Sequence, residues 1–206
     1  MTKRREWSGE TLPDLLRDGL DIVFVGINPS LYSVEQGHYF ARRLNRFWPA
    51  FSRSRLSAPV RNGLGVALLE PRHDKFLPDY GFGFTDLVKR PTANVRDLRP
   101  GELEGGAATL IGKLARRRPR VVCFHGVTIY RAVAPALGLP VAGFALGAQP
   151  HRLASSALFV VPNPSPANAH FTPAQQTEWY DRLTQYCARG AGKCPDPFLD
   201  GAKGRQ

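Results

Sequence analysis

Two short segments concentrate the residues able to bind and act on a polar ligand. Gly26-Ile-Asn-Pro-Ser30 follows the apolar run Asp21-Ile-Val-Phe-Val25, and Asn163-Pro-Ser-Pro-Ala-Asn168 follows Ala157-Leu-Phe-Val-Val161. Each joins amide and hydroxyl groups to prolines that stiffen the backbone, and each stands where a short buried strand would end. In parallel α/β sheets, ligands collect just outside the carboxyl ends of strands, so two such loops are candidates for one shared pocket. The local alternative for Asn28 is that an Asn before Pro closes a turn with its side chain on nearby backbone.

Other chemistries find little support. Cys123, Cys187 and Cys194 are odd in number and lack CxxC spacing. His38, His73, His125 and His151 have no ligand-like spacing, so neither a metal site, an iron–sulfur cluster nor a disulfide framework is expected. There is no GxGxxG and no P-loop, which disfavours an enzyme of free nucleosides or phosphorylated sugars. The 28 Lys and Arg against 17 Asp and Glu give a formal charge of +11. That balance points to a polyanionic partner, the alternative being a protein that is simply basic. Apolar runs fall far short of the ~20 residues a spanning helix needs, and Met1-Thr-Lys-Arg-Arg5 is not followed by an apolar core. A soluble, cytoplasmic chain with no membrane partner is expected, nucleoid-associated in a bacterium.

These loops need a framework. The runs at Ile22–Val25, Arg120–Gly126 and Leu158–Val161 read as buried strands. Thr11–Leu20, Asn45–Phe51, Glu102–Arg118, Thr128–Leu137 and Thr172–Ala188 read as helices, the last with Thr as cap and Pro at its first position. Residues 57–80 show little periodicity, and 81–91 reads as strand or turn. Strands alternating with helices predict an α/β fold, a three-layer α/β/α sandwich around a central, mostly parallel open sheet. One domain over residues 1–189 and a basic, flexible tail over 190–206 are expected.

The segments Gly26-Ile-Asn-Pro-Ser30, Asn45-Arg-Phe-Trp48, Gly83-Phe-Thr-Asp-Leu-Val-Lys-Arg-Pro-Thr92 and Pro162-Asn-Pro-Ser165, in this order, resemble the uracil-DNA glycosylase superfamily. Within it the likeness is to the mismatch-specific uracil/thymine-DNA glycosylases, and it covers about residues 21–188. The resemblance implies a monofunctional DNA N-glycosylase of base-excision repair. Such an enzyme flips uracil, and mismatched thymine or a damaged pyrimidine as further substrates, out of DNA and hydrolyses the N-glycosidic bond without a cofactor. It implies that Asn28 orients the attacking water and that Gly26, Ile27, Ser33 and Asn163 border the base. Phe40 would stack on the base, although a lone Phe is more often a core residue than a stacking platform. An amide is a weak base, so Asp86 is a second candidate general base, unless it caps a turn or pairs with Lys89 or Arg90.

The second loop implies a wedge that fills the gap left by the flipped nucleotide. Here Ser165 is followed by Pro166, Ala167, Asn168 and Ala169, where the family often has Gly, an apolar wedge and Arg. His170 or Phe171 would be substitute fillers, or would begin the packing of the last helix. Arg42, Arg43, Arg46, Lys89, Arg90 and Arg152 are candidate phosphate contacts. A monomer acting on uracil-containing or mismatched DNA is the leading expectation, and a non-catalytic nucleic-acid-binding α/β module is the alternative.

Overall fold

A computed structural model describes residues 9–141 and 144–191. Five strands form one sheet: β1 Ile22–Gly26, β2 Phe82–Asp86, β3 Val121–His125, β4 Gly147–Leu153 and β5 Ser156–Val161, in the order β2-β1-β3-β5-β4. All pairs are parallel except the β4–β5 hairpin. β1, β2, β3 and β5 are buried along their whole length, as expected of strands covered on both faces. The helices are α1 Leu31–Gln36, α2 Phe47–Arg53, α3 Ala58–Leu64, α4 Glu102–Arg117, α5 Val127–Ala136 and α6 Pro173–Tyr186. This is the three-layer α/β/α sandwich.

The two faces are packed differently. On one, Phe24, Phe82, Phe84 and Phe159 meet Phe47, Trp48 and Phe51 of α2 and Tyr180 and Leu183 of α6. On the other, Val23, Val25, Val122, Leu158 and Val160 meet Leu110 and Leu114 of α4 and Ile129 and Val133 of α5. Each such side chain, fully buried, stabilises the fold by ~1.5–3 kcal/mol relative to exposure. Parallel register brings the last residues of the central strands to one edge, with Gly26 level with Asp86 and His125 level with Val161.

Two sequence expectations are corrected. Thr11–Leu20 is not a helix: Leu15 exchanges backbone hydrogen bonds with Phe84 at 2.9 and 3.0 Å, so the open edge of β2 captures this segment. Pro13 and the left-handed Gly19 (φ 68°) fit an extended path, and tertiary pairing overrides helix propensity here. Residues 57–80 are structured, with α3 and a 3₁₀ stretch at Pro71–Tyr80. In α6 the buried stripe is Gln176, Tyr180 and Leu183, with Trp179 half-buried beside it. At the other edge, β4 contains Pro150 and an irregularity between Ala148 and Arg152. The expected tail lies, from residue 192 onward, outside the described residues, as does Cys194. Among the described residues no helix is long and apolar enough to cross a membrane.

Candidate active site

The loop after β1 is held by its own side chains and by the segment after β2. Asn28 Nδ2 donates to Thr92 Oγ1 at 2.8 Å, to the Arg90 carbonyl at 3.1 Å and to the Pro29 carbonyl at 3.2 Å. The amide nitrogen is thereby committed to the 90–92 segment, which leaves the oxygen as the edge of Asn28 offered to the cleft. Ser30 caps α1 by accepting from the Ser33 amide at 3.0 Å. Ser33 is buried, and its hydroxyl accepts from the Ala41 amide at 3.3 Å. The polar groups of Ser33 therefore hold the turn together at the cleft wall.

That turn delivers Phe40, whose φ of 53° is unusual for an aromatic residue. The conformation is over-determined by its neighbours. The Tyr39 amide donates to Asp74 Oδ2 at 2.8 Å, and Trp48 Nε1 donates to the Tyr39 carbonyl at 2.8 Å. One face of the Phe40 ring stacks on Phe47 at 4.5 Å and 17°. The ring also lines the cleft, so the residue is both a packing element and a surface of the site.

Asp86 ends β2 beside Gly26. A methyl group at Gly26 would lie 2.5 Å from Asp86 Oδ1 and 3.8 Å from the Phe40 ring, so only glycine lets carboxylate and ring border the same space. Asp86 is 4% exposed, and its Oδ2 has no hydrogen-bond partner. Burial pushes its pKa up to about 7; Lys89 and Lys113 oppose the rise and Asp14 adds to it. The nearest cation, Lys89 Nζ, is 3.8 Å from Asp86 but 3.0 Å from Asp14, which also pairs with Lys113. Asp14 bears most of this cationic charge. Burial disfavours its ionisation, but the lysines hold its pKa below the usual carboxylate value.

His125, at the end of β3, also borders the cleft. Its Nε2 lies 2.9 Å from the Tyr180 hydroxyl, Nδ1 has no hydrogen-bond partner, and burial lowers its pKa to about 3. It is a neutral imidazole. In the sequence it stands out only by its place at the end of a central strand, which is what brings it to the cleft.

The loop after β5 is closed by its own asparagines and anchored from outside by Arg46 and Gln176. Asn163 Oδ1 accepts from the Ser165 amide at 2.9 Å, and Asn168 Nδ2 closes back on the Asn163 carbonyl at 2.9 Å. Arg46 spans the two motif regions: its amide donates to the Pro164 carbonyl at 3.0 Å, and its Nη1 donates to the carbonyls of Asn168 and Phe171 at 2.9 and 2.7 Å. Gln176 of α6 donates to the Pro162 carbonyl at 2.8 Å.

Together these segments enclose a cleft of about 300 Å³, within the range of small-molecule sites. Of the expected residues, Gly26, Ile27, Asn28, Ser33, Phe40, Asp86, Asn163, Ser165, Pro166 and Ala167 line it, and Asn168 and Ala169 do not. Thr92, Arg42, Asn45 and Arg96 line it as well. The expected phosphate contacts divide. Arg46 is the loop clamp, Lys89 serves the carboxylates, and Arg90 is paired with Glu102 through two bonds of 2.6 Å, which hold Glu102 at a pKa of about 2. Arg42 and Arg43 remain exposed at the rim, while Arg152 bonds the Ser155 carbonyl within the β4–β5 turn.

A family model described as the uracil DNA glycosylase superfamily matches residues 13–184. Among solved structures, the chain is similar to a solution NMR structure of a provisionally assigned uracil DNA glycosylase from Methanosarcina acetivorans, at 20% identity and a TM-score of 0.48. That likeness covers 82% of this chain and 92% of the other. The match to the family model spans most of the sequence, both motif loops included, and the chain belongs to the uracil DNA glycosylase superfamily.

Proposed function

We propose that this DNA glycosylase is of the mismatch-specific uracil/thymine type, accepting an extruded uracil in the cleft and hydrolysing its glycosidic bond with Asp86 as general base. The observation that carries this reading is the buried Asp86 carboxyl, its pKa pushed up to about 7, whose Oδ1 is set against Gly26 beside the Phe40 ring in the cleft.

In the reaction, the C1′–N1 bond breaks with its electron pair leaving on the pyrimidine. The oxygen of water bonds to C1′, and Asp86 takes the water proton. Asn28 holds the water through its amide oxygen, while Phe40 stacks on the base and excludes solvent. Ile27, Ser33 and Asn163 border the base; the Nδ2 edge of Asn163 is the donor on that side, because its oxygen is used by Ser165. Anionic leaving-group charge is met by donors around the cleft. No lysine lines the cleft among the described residues, which supports direct hydrolysis over Schiff-base lyase chemistry.

Pro166 and Ala167 are small for a wedge. Mispaired or single-stranded uracil, which costs less to extrude, is therefore the favoured substrate, with thymine opposite guanine a weaker one. We further propose a single domain acting as a monomer.

Single-turnover base release from single-stranded, U:A, U:G and T:G oligonucleotides tests the proposal. Uracil release that leaves an abasic site, with no adduct trapped by borohydride, is the expected result. Salt-sensitive DNA binding without base release would instead identify a binding module.

A further inference from the structure

The most exposed large apolar side chain among the described residues is not in the loop after β5. It is Leu44, at 64% exposure. Leu44 is the third residue of a tight turn closed by the Asn45 amide donating to the Arg42 carbonyl at 2.8 Å. Both ends of that turn, Arg42 and Asn45, line the cleft.

The turn is braced from two sides. Arg42 Nη2 donates to the Ala93 carbonyl at 3.0 Å on one flank. On the other, Arg46 holds the Pro164, Asn168 and Phe171 carbonyls. A single exposed Leu is ordinary on a protein surface. This one stands on a braced turn, next to two exposed arginines and between two residues that line the cleft. Val95, the exposed apolar group on the segment after β2, lines the cleft itself but is a methylene shorter and only 45% exposed, and its turn is closed within Asn94–Leu98.

We propose that Leu44 is the side chain that enters the duplex stack and occupies the space vacated by the extruded nucleotide, with Arg42 and Arg43 on the flanking phosphates. The inference rests on the glycosylase reading above. A wedge must be apolar, held stiffly and carried by cationic backbone contacts, and the 42–46 turn meets all three conditions where Pro166 and Ala167 supply little apolar reach.

The test compares wild type, Leu44→Ala, Leu44→Met and Val95→Ala at saturating enzyme on U:A, U:G and single-stranded uracil substrates. A 2-aminopurine neighbour reports unstacking independently of chemistry. Leu44→Ala is expected to slow release from U:A duplex by on the order of tenfold, from U:G by less, and from single strands not at all. Its 2-aminopurine signal on duplex falls accordingly, and Leu44→Met keeps the wild-type pattern. Equal losses on all three substrates, no loss on U:A, or a duplex-selective loss in Val95→Ala instead would overturn the assignment while leaving the glycosylase reading intact. A wild type that releases no uracil from any substrate removes both.

Discussion

The loops after β1 and β5 end neighbouring regions of the same sheet, yet they are fixed and exposed differently. The first is held from within: Asn28, Ser30 and Ser33 spend their polar groups on the loop and its neighbours, and the backbone at Phe40 is pinned by Asp74 and Trp48. The second closes on itself through Asn163 and Asn168 but is also clamped from outside by Arg46 and Gln176, and it exposes Pro166, Ala167 and Ala169. A site that must fix a water and a base within fractions of an ångström needs the first kind of loop. A surface that meets long, variable DNA can use the second. On the reading proposed above, the β1–β2 side fixes the water and the base, while the loop after β5 and the 42–46 turn clamped to it face the DNA.

Substitutions on the two sides should separate those roles. The largest effect is expected for Asp86→Asn, which should lower the single-turnover rate by ~10²–10⁴-fold with DNA binding retained. Wild-type rate should rise with pH through about 7 as the carboxylate forms, and the variant should lose that inflection. Stability moves the other way. A carboxyl whose pKa is raised in the fold contributes stability while protonated and loses it as pH climbs through its folded value. Asp86→Asn should therefore gain on wild type in thermal midpoint between about pH 4 and about pH 8. A flat rate profile for wild type would break the assignment of the base.

Asn28→Ala comes next, with a loss on the order of a hundredfold. It also takes the donor from the Arg90 carbonyl, while Pro29 and Thr92 keep their other bonds, so a denaturation curve should show roughly 1–3 kcal/mol of destabilisation. Smaller still, Arg46→Ala frees the second loop. About tenfold weaker duplex binding, with the single-strand catalytic rate nearly unchanged, would sharpen the division between the sides. If the catalytic rate falls as far as binding, the loops are not separable. The smallest change is expected for Lys89→Met: removing a cation that favours the Asp86 carboxylate should move the rate inflection above its wild-type position near 7.

How much of this the sequence revealed follows from the range of the forces involved. Buried strands with polar loops at their ends, and a helix opened by Thr172 and Pro173, are local patterns, and both motif loops lie where those patterns place them. Thr11–Leu20 was illegible because its partner is the edge of β2, some 70 residues away in sequence. The arginines and lysines near the motifs look alike as letters. Only the fold shows that Arg90 belongs to Glu102, Lys89 to Asp14 and Arg46 to the second loop. Asp74, which supports Phe40 from the 3₁₀ stretch, sits in a segment with no periodicity to mark it.

The two margins of the sheet are sealed by different devices. Leu15 occupies the outer side of β2, while Pro150 removes a backbone donor from β4 within an irregular stretch that spoils a straight ladder. Neither margin offers another chain a regular row of vacant amides and carbonyls. The described backbone thus carries, at both margins of its sheet, a guard against strand-by-strand polymerisation.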